Sequence, residues 1–260
     1  MPSSFTVELS TIAAEIQGIA PNIPDSTIAH GITTDSRRVQ VGELFIALRG
    51  ENFDGHDYVA MAIGQGAKAA IVDGDFDPGD LPVIVVADTL KAYQAIGRWW
   101  RRKFSIPVIA ITGSVGKTTS KELIAAVLSN YGNVLKTQAN FNNEIGVPKT
   151  LLELRSDHDF AVVEMGMRGQ GQIAELALIA EPTIGLICTV GTAHIELLGS
   201  REAIANAKCE LFAEMPKDSI AILNADNSLL VETARKVWSG KTLSYGFTTG
   251  DVQGDRKSVV

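Results

Sequence analysis

The chain has 260 residues, 45% hydrophobic and 20% charged, enough to bury roughly three quarters of the unfolded surface without a disulfide or structural metal. Thirty acidic residues against 23 basic give a net charge of −7, which argues against bulk nucleic-acid binding. Glu8 and Glu15 with no Lys or Arg before residue 16 exclude a signal-peptide pattern, no apolar run approaches the roughly 18 residues that span a bilayer, and Cys188 and Cys209 stand in no metal or redox spacing.

Residues 5–17 predict a short amphipathic helix through Ile12, Ala13 and Ile16, with Ser10 or Thr11 as its cap. Residues 31–38 (GITTDSRR) read as a loop, 44–48 (LFIAL) as an apolar run, and 49–57 as a sharp turn around Asn52 to Gly55. A helix through Val59, Ala60 and Ile63 ends near Gly64 or Gly66, and 69–72 and 83–86 are strand candidates. Arg98 to Lys103 read as a helix end that buries its tryptophans rather than as a membrane or nucleic-acid patch.

From residue 105 strand and helix alternate. Residues 107–112, 160–164, 183–190 and 219–223 are continuous apolar strands, and Leu123, Ile124, Val127, Leu128 and Tyr131 follow helical spacing up to Gly132. That pattern predicts an α/β protein, with a small mixed α/β domain at 1–104 followed by a P-loop, mostly parallel-sheet domain at 105–260. After a strand-like TLSYGF at 242–247 the chain trails off without a closing helix.

The sharpest motif is TGSVGKTT at 112–119, directly after a strand and opening a helix. Gly113 and Gly116 let the amides of Ser114, Val115 and their neighbours turn toward a phosphate, Lys117 offers charge to the β and γ phosphates, and Thr118 offers a hydroxyl to magnesium. Ile111 stands where the full Walker pattern has its first glycine, so the loop is the shortened Gly-x-x-Gly-Lys-Thr form. An ordinary tight turn with a surface lysine is the plainer alternative.

Glu164 closes a strand at the end where ligands gather in parallel sheets, as a magnesium ligand or a solvated acid. His194 is a hydrogen-bonded loop residue or a ligand. Lys208, on a helix patterned by Ala203, Ile204, Ala207 and Leu211, reads by itself as solvated. Asn140, Asn142 and Asn143 by themselves form a helix-capping loop.

The ordered series TDSRRVQVGELFIALRGENFDGHDY, TGSVGKTTSKE, NFNNEIGVPKTLL, VEMGMRGQGQIAELA, VGTAHIELLGS, AKCELF and ILNADN, between about residues 30 and 247, resembles the Mur ligases. Within them VEMGMRGQGQI resembles the branch that joins D-alanyl-D-alanine to UDP-N-acetylmuramoyl-tripeptide, rather than the preceding ligase that adds the third amino acid. The resemblance implies a cytoplasmic, monomeric, ATP- and Mg²⁺-dependent amide ligase of peptidoglycan synthesis, working through an acyl phosphate and needing neither nucleic acid nor integral membrane association.

It also implies roles. Gly113 to Thr119 hold ATP and Lys117 grips the γ phosphate. Thr118 and Glu164 hold one magnesium, His194 a second, and Lys208 matches a lysine that relatives carbamylate, which turns a repelling ammonium into an anionic ligand. Asn142 and Asn143 line the cleft, Asn224 and Asp226 lie near the adenosine, and Thr34, Asp35, Ser36, Asn52, Asp54, Gly55 and His56 match the segments for the UDP-sugar.

Thr189 and Cys209 depart from the Asn and Gly that relatives often carry. Family members continue for well over a hundred further residues, so the expectation is a C-terminally truncated chain with an incomplete ATPase domain, no third domain and a non-native GDRKSVV end. A catalytically silent nucleotide-binding fragment is the competing reading. A P-loop kinase or GTPase is disfavoured by the short loop and the lack of Asn-Lys-x-Asp.

Overall fold

A computed structural model describes residues 4–24, 26–193 and 195–254. They divide into two compact units, one running to Phe104 and including Leu151–Ser156, the other formed by Ser105–Thr150 and the chain from Asp157.

In the first unit, β1 (Val7–Glu8) and β2 (Ile28–Ala29) pair antiparallel around α1 (Leu9–Glu15). Neither Ser10 nor Thr11 caps that helix. It starts at Leu9, whose amide donates to Thr27 O at 2.8 Å, so the β1–β2 pairing already satisfies an amide that a side-chain cap would serve.

A parallel four-stranded sheet follows in the order β3 (Ile32–Thr33), β4 (Leu44–Ile46), β5 (Ala69–Asp73), β6 (Val83–Val86). The predicted loop at 31–38 thus contains a strand, and a 3-10 turn at Ser36–Arg38. The core joins Phe45, Ala70, Val72 and Val83 to Val59 and Ala62 of α2 (Val59–Gly64). In α3 (Thr89–Arg101), Asp88 caps the start by accepting from Lys91 N, and Trp100 is buried with its indole N–H donating to Leu154 O at 3.1 Å.

The second unit contains β7 (Val108–Thr112), α4 (Lys117–Leu128), β8 (Val134–Lys136), α5 (Gly146–Leu152, its last two residues in the first unit), β9 (Phe160–Glu164), α6 (Gln172–Ala180) and β10 (Ile184–Ile187). It continues with α7 (Ile195–Leu198), α8 (Arg201–Glu214), β11 (Ile220–Asn224), α9 (Ser228–Val237), β12 (Lys241–Gly246) and β13 (Val252–Gln253). All seven strands are parallel, in the order β13-β12-β11-β10-β7-β9-β8. Every residue of β7 is buried, as the apolar run of a strand covered on both faces requires. The chain winds from β7 first toward β8 and β9, then returns to β10 on the other side, so the crevice for ligands opens at the carboxyl end of β7.

Further details of the second unit differ from the sequence reading. The trailing segment adds the short strand β13. Helix α4 ends at Leu128 rather than at Gly132, and Leu123, Val127 and Tyr131 are 63%, 60% and 78% exposed. Its packed stripe is Ile124, Ala125 and Leu128, which lies on Ile109, Ile111 and Val162, with Lys121 buried one turn earlier; the apolar spacing had merged two stripes of one helix.

Candidate functional site

The site begins where β7 turns into α4. Gly116, at φ +86°, caps α4 in the left-handed region, where a side chain would be strained. Lys117 folds back, its Nζ donating to Gly113 O at 3.0 Å. The loop is sutured to the segment after β10: Ser114 N donates to Thr189 O at 3.0 Å, and Gly191 N donates to Ser114 Oγ at 2.9 Å. Val115 N also donates to Thr189 Oγ1, at 3.4 Å, so the threonine at this position still serves the loop.

Glu164 ends β9 beside this loop and is 2% exposed, which excludes the solvated-acid alternative. Its Oε2 accepts from Thr118 Oγ1 at 3.0 Å and its Oε1 from Asn142 Nδ2 at 2.9 Å. Asn143 caps α5, its Oδ1 accepting from Gly146 N at 2.9 Å. Sequence reasoning missed Lys121, one turn beyond Lys117. It is buried, donates to Thr137 O at 2.9 Å and lies 3.9 Å from Glu164 Oε2.

A cleft of about 610 Å³ opens here, bounded by Thr112, Gly113, Lys117, Asn140, Asn142, Asn143, Met165, Arg168 and Lys208 among others. Lys208 is not solvated. It is 2% exposed on α8, has no carboxylate partner among the described residues, and its ammonium is pushed down to about 8, first by burial and then by the charge of Lys117. Glu210, another residue that the sequence did not single out, ties α8 to the start of α6 by accepting from Gly171 N at 2.7 Å and Ala174 N at 3.1 Å.

A magnesium ion fits this donor set only in part. Thr118 and Glu164 present adjacent hard oxygens, while no group of three or more His, Cys, Asp or Glu among the described residues could hold a metal. That suits a cation completed by phosphate and water oxygens. His194 lies outside the described residues.

Asn224 and Asp226 sit at the end of β11 and do not bound this cleft. Asp226 accepts from Phe247 N at 2.6 Å and from Thr248 N, Thr249 N and the Thr248 hydroxyl; these bonds, led by the last, hold its carboxyl far below the usual range. It borders a separate hollow of about 430 Å³ with Arg201, Ser228 and Glu232.

In the first unit, Thr34, Asp35 and Ser36 follow β3 and Asn52, Asp54, Gly55 and His56 follow β4. Asp35 is clamped by Arg37, which donates from Nε at 2.8 Å and holds the carboxyl at about 2. Asp54 accepts from Arg49 Nη1 at 2.6 Å and from His56 N at 2.9 Å, and pairs with His56 Nδ1 at 2.6 Å. His56 Nε2 accepts from Asp73 N at 3.0 Å, and Arg49 Nε donates to Asp73 Oδ2 at 2.7 Å. The polar atoms of Asp54 and His56 are thus engaged with one another and with the end of β5.

Comparison with known proteins agrees with this architecture. The Mur ligase middle domain matches residues 111–258, and the Mur ligase family catalytic domain matches residues 28–95. The UDP-N-acetylmuramoyl-tripeptide--D-alanyl-D-alanine ligase of Synechocystis sp. is 60% identical over 90% of this chain and 52% of its own length; that of Escherichia coli is 44% identical over 80% and 47%. A MurF crystal structure from Acinetobacter baumannii superposes with a TM-score of 0.90 at 34% identity, over 98% of this chain and 56% of that one. The MurF ligase of Thermotoga maritima in complex with ADP gives 0.80 at 33% identity, over 86% and 52%. The chain spans about half the length of these relatives. With more than half of its residues matched by the middle-domain family, the chain belongs to the Mur ligase family.

Proposed function

We propose that this chain carries the UDP-sugar-binding and ATP-binding parts of an ATP-dependent amide ligase that joins D-alanyl-D-alanine to UDP-N-acetylmuramoyl-tripeptide in peptidoglycan synthesis. The observation that carries the reading is the convergence of Thr118 and Asn142 on Glu164 at the phosphate loop, beside a cleft that Lys117 and Asn142 line. The names of the most similar relatives support the substrates, and the ADP complex of the Thermotoga maritima protein supports the nucleotide.

An oxygen of the tripeptide's terminal carboxylate attacks the γ-phosphorus of ATP, the bond to the bridging oxygen breaks, and ADP leaves. The amine of D-alanyl-D-alanine then attacks the acyl carbon, loses a proton, and expels inorganic phosphate through a tetrahedral intermediate. The protein's part is positioning and charge neutralisation. Lys117 neutralises the transferred phosphoryl group, the amides of Ser114 to Thr119 cradle the phosphates, and Asn142 orients Glu164. Magnesium, held by Thr118 and Glu164, would supply further neutralisation of the phosphates. Lys208, buried and without a carboxylate partner, is the amine suited to carbamylation. Asn224 and Asp226 shape the end of the sheet toward the adenosine. Asp35 with its neighbours, and the loop pinned by Asp54 and His56, face the UDP-sugar.

Among the described residues no helix is long and apolar enough to cross a membrane, and the ATP and nucleotide-sugar substrates of the proposed ligase support a cytoplasmic reaction.

Mass spectrometry of the UDP-muramoyl-pentapeptide formed from ATP, Mg²⁺, UDP-tripeptide and D-alanyl-D-alanine tests this, with a full-length relative as positive control. Product that disappears in Lys117→Ala establishes the ligase. Nucleotide binding without product restricts the chain to a nucleotide-binding part. Absence of both, with the control active, overturns the reading.

A further inference from the structure

Arg168 follows Glu164 in the segment that joins β9 to α6. The main chain of this segment is tethered along its length. Gly166 N donates to Asn142 O at 2.8 Å, Arg168 N and Gly169 N donate to Gln172 Oε1 at 2.5 and 3.1 Å, and Gly171 N donates to Glu210 Oε1 at 2.7 Å. The arginine side chain is not tethered. Met165 and Met167 are buried, whereas Arg168 is exposed, borders the cleft, and makes no side-chain hydrogen bond or ion pair among the described residues. A fixed backbone thus presents an unpaired guanidinium to the cleft.

Topology shows which part of the cleft it serves. Ile109 and Ile111 of β7 face α4, so the phosphate loop leads to a helix on that face of the sheet. Gly185, the register partner of Ala110, faces the other way, against Leu211 and Phe212 of α8, and α6 packs on α8. On that side Gln172 and Leu176 of α6 line the cleft together with Lys208 of α8. The cations of the cleft then divide by role. Lys117 belongs to the phosphates, and Lys208, in its carbamylated form, to the metal. Glu144 and Glu175 also border the cleft, and each is engaged within the protein, neither of them with Arg168. Arg168 is the cation left for a further anion, and Met165 and Leu176 beside it offer apolar surface to a peptide chain.

We infer that Arg168 is a substrate-binding residue whose guanidinium pairs with a carboxylate of the UDP-linked peptide other than the one that takes the phosphoryl group. This rests on the ligase reading for the identity of the substrate. A guanidinium presents its N–H groups as a planar fork that a carboxylate accepts on both oxygens, so the pair fixes the direction in which the peptide lies.

The test is calorimetric titration of wild type, Arg168→Gln and Arg168→Lys with three ligands: the UDP-tripeptide, an analogue whose non-reacting carboxylates are carboxamides, and ADP·Mg²⁺. With no side-chain partner to lose, both variants should melt within about 2 °C of wild type. Arg168→Gln should weaken the UDP-tripeptide about tenfold or more and leave ADP·Mg²⁺ unchanged, while Arg168→Lys, which keeps the charge and loses the fork, falls between. Wild type should bind the carboxamide analogue about tenfold more weakly than the UDP-tripeptide, and Arg168→Gln should weaken that analogue no further.

Unchanged affinity for the UDP-tripeptide in Arg168→Gln overturns the inference, as does equal weakening of the carboxamide analogue or a loss confined to ADP·Mg²⁺. Wild type that binds ADP·Mg²⁺ and not the UDP-tripeptide also overturns it, and leaves the chain a nucleotide-binding part. Wild type that binds none of the three defeats the ligase reading, and this inference with it.

Discussion

Lys121 Nζ donates to the main-chain carbonyl of Thr137 at 2.9 Å, and the Thr137 hydroxyl in turn accepts from the Glu164 amide at 2.9 Å. The two bonds tie α4 to the segment leaving β8 and to the last residue of β9. They set where Glu164 stands relative to Thr118. Lys121 is 2% exposed and has Glu122 at 3.2 Å, so its burial is compensated rather than costly. Lys121→Met leaves the Thr137 carbonyl without its donor and should destabilise the chain by about 3 kcal/mol. Urea denaturation measures this, and a loss below about 0.5 kcal/mol would show that the clamp holds nothing.

Glu164 receives Thr118 on one oxygen and Asn142 on the other. Glu164→Gln keeps the shape but removes the charge and one acceptor. The expected outcome is a stability change of about 1 kcal/mol together with loss of the Mg²⁺-dependent part of nucleotide affinity. The measurement is the ratio of ADP dissociation constants with and without Mg²⁺. A ratio equal to that of wild type would remove Glu164 from the magnesium site.

The strands of the large sheet were legible because burial on both faces leaves continuous apolar runs, as at Val108–Thr112 and Phe160–Glu164. The phosphate loop was legible because its spacing is fixed by backbone geometry. Three residues are too few to carry a pattern, so β8 was not foreseen. The burial of Lys208 and Lys121 was not legible either. A lysine on a helix looks the same in sequence whether it faces water or a cleft, and only packing of α8 on the sheet and of α4 on Glu164 decides it. The exposed Leu123 and Val127 illustrate the converse, since residues one position from the packed stripe shared its composition.

Gly55 illustrates a residue whose resemblance-based role has a structural basis as well. A Cβ at this position would lie 2.7 Å from Leu48 O and 2.8 Å from Leu48 N, both backbone atoms that cannot step aside. The close approach seats the 3-10 turn that carries His56, and Gly55 N donates to Leu48 O at 2.8 Å. Gly55→Ala should therefore cost about 3 kcal/mol in the absence of any substrate. Equal urea midpoints for variant and wild type would leave substrate contact as the sole use of this glycine.

Lys208 gives the chain a pH dependence of stability with a definite sign. Its ordinary value is 10.5 and its folded value about 8, lowered first by burial and then by Lys117. Below about pH 8 the amine is charged folded and unfolded, and the folded state bears the whole cost of an enclosed ammonium, up to about 3 kcal/mol. Between about pH 8 and 10.5 the unfolded chain binds more protons than the folded one, so stability rises with pH, and above that window the cost is gone. Lys208→Met removes the titrating group while keeping the length of the side chain. In CO₂-free buffer it should be more stable than wild type at pH 7, and its advantage should shrink steadily as pH rises through the window. Urea denaturation of both proteins at several pH values checks this. Parallel curves would mean that the ammonium is already compensated when folded, and would remove the reason for Lys208 to be reactive at neutral pH.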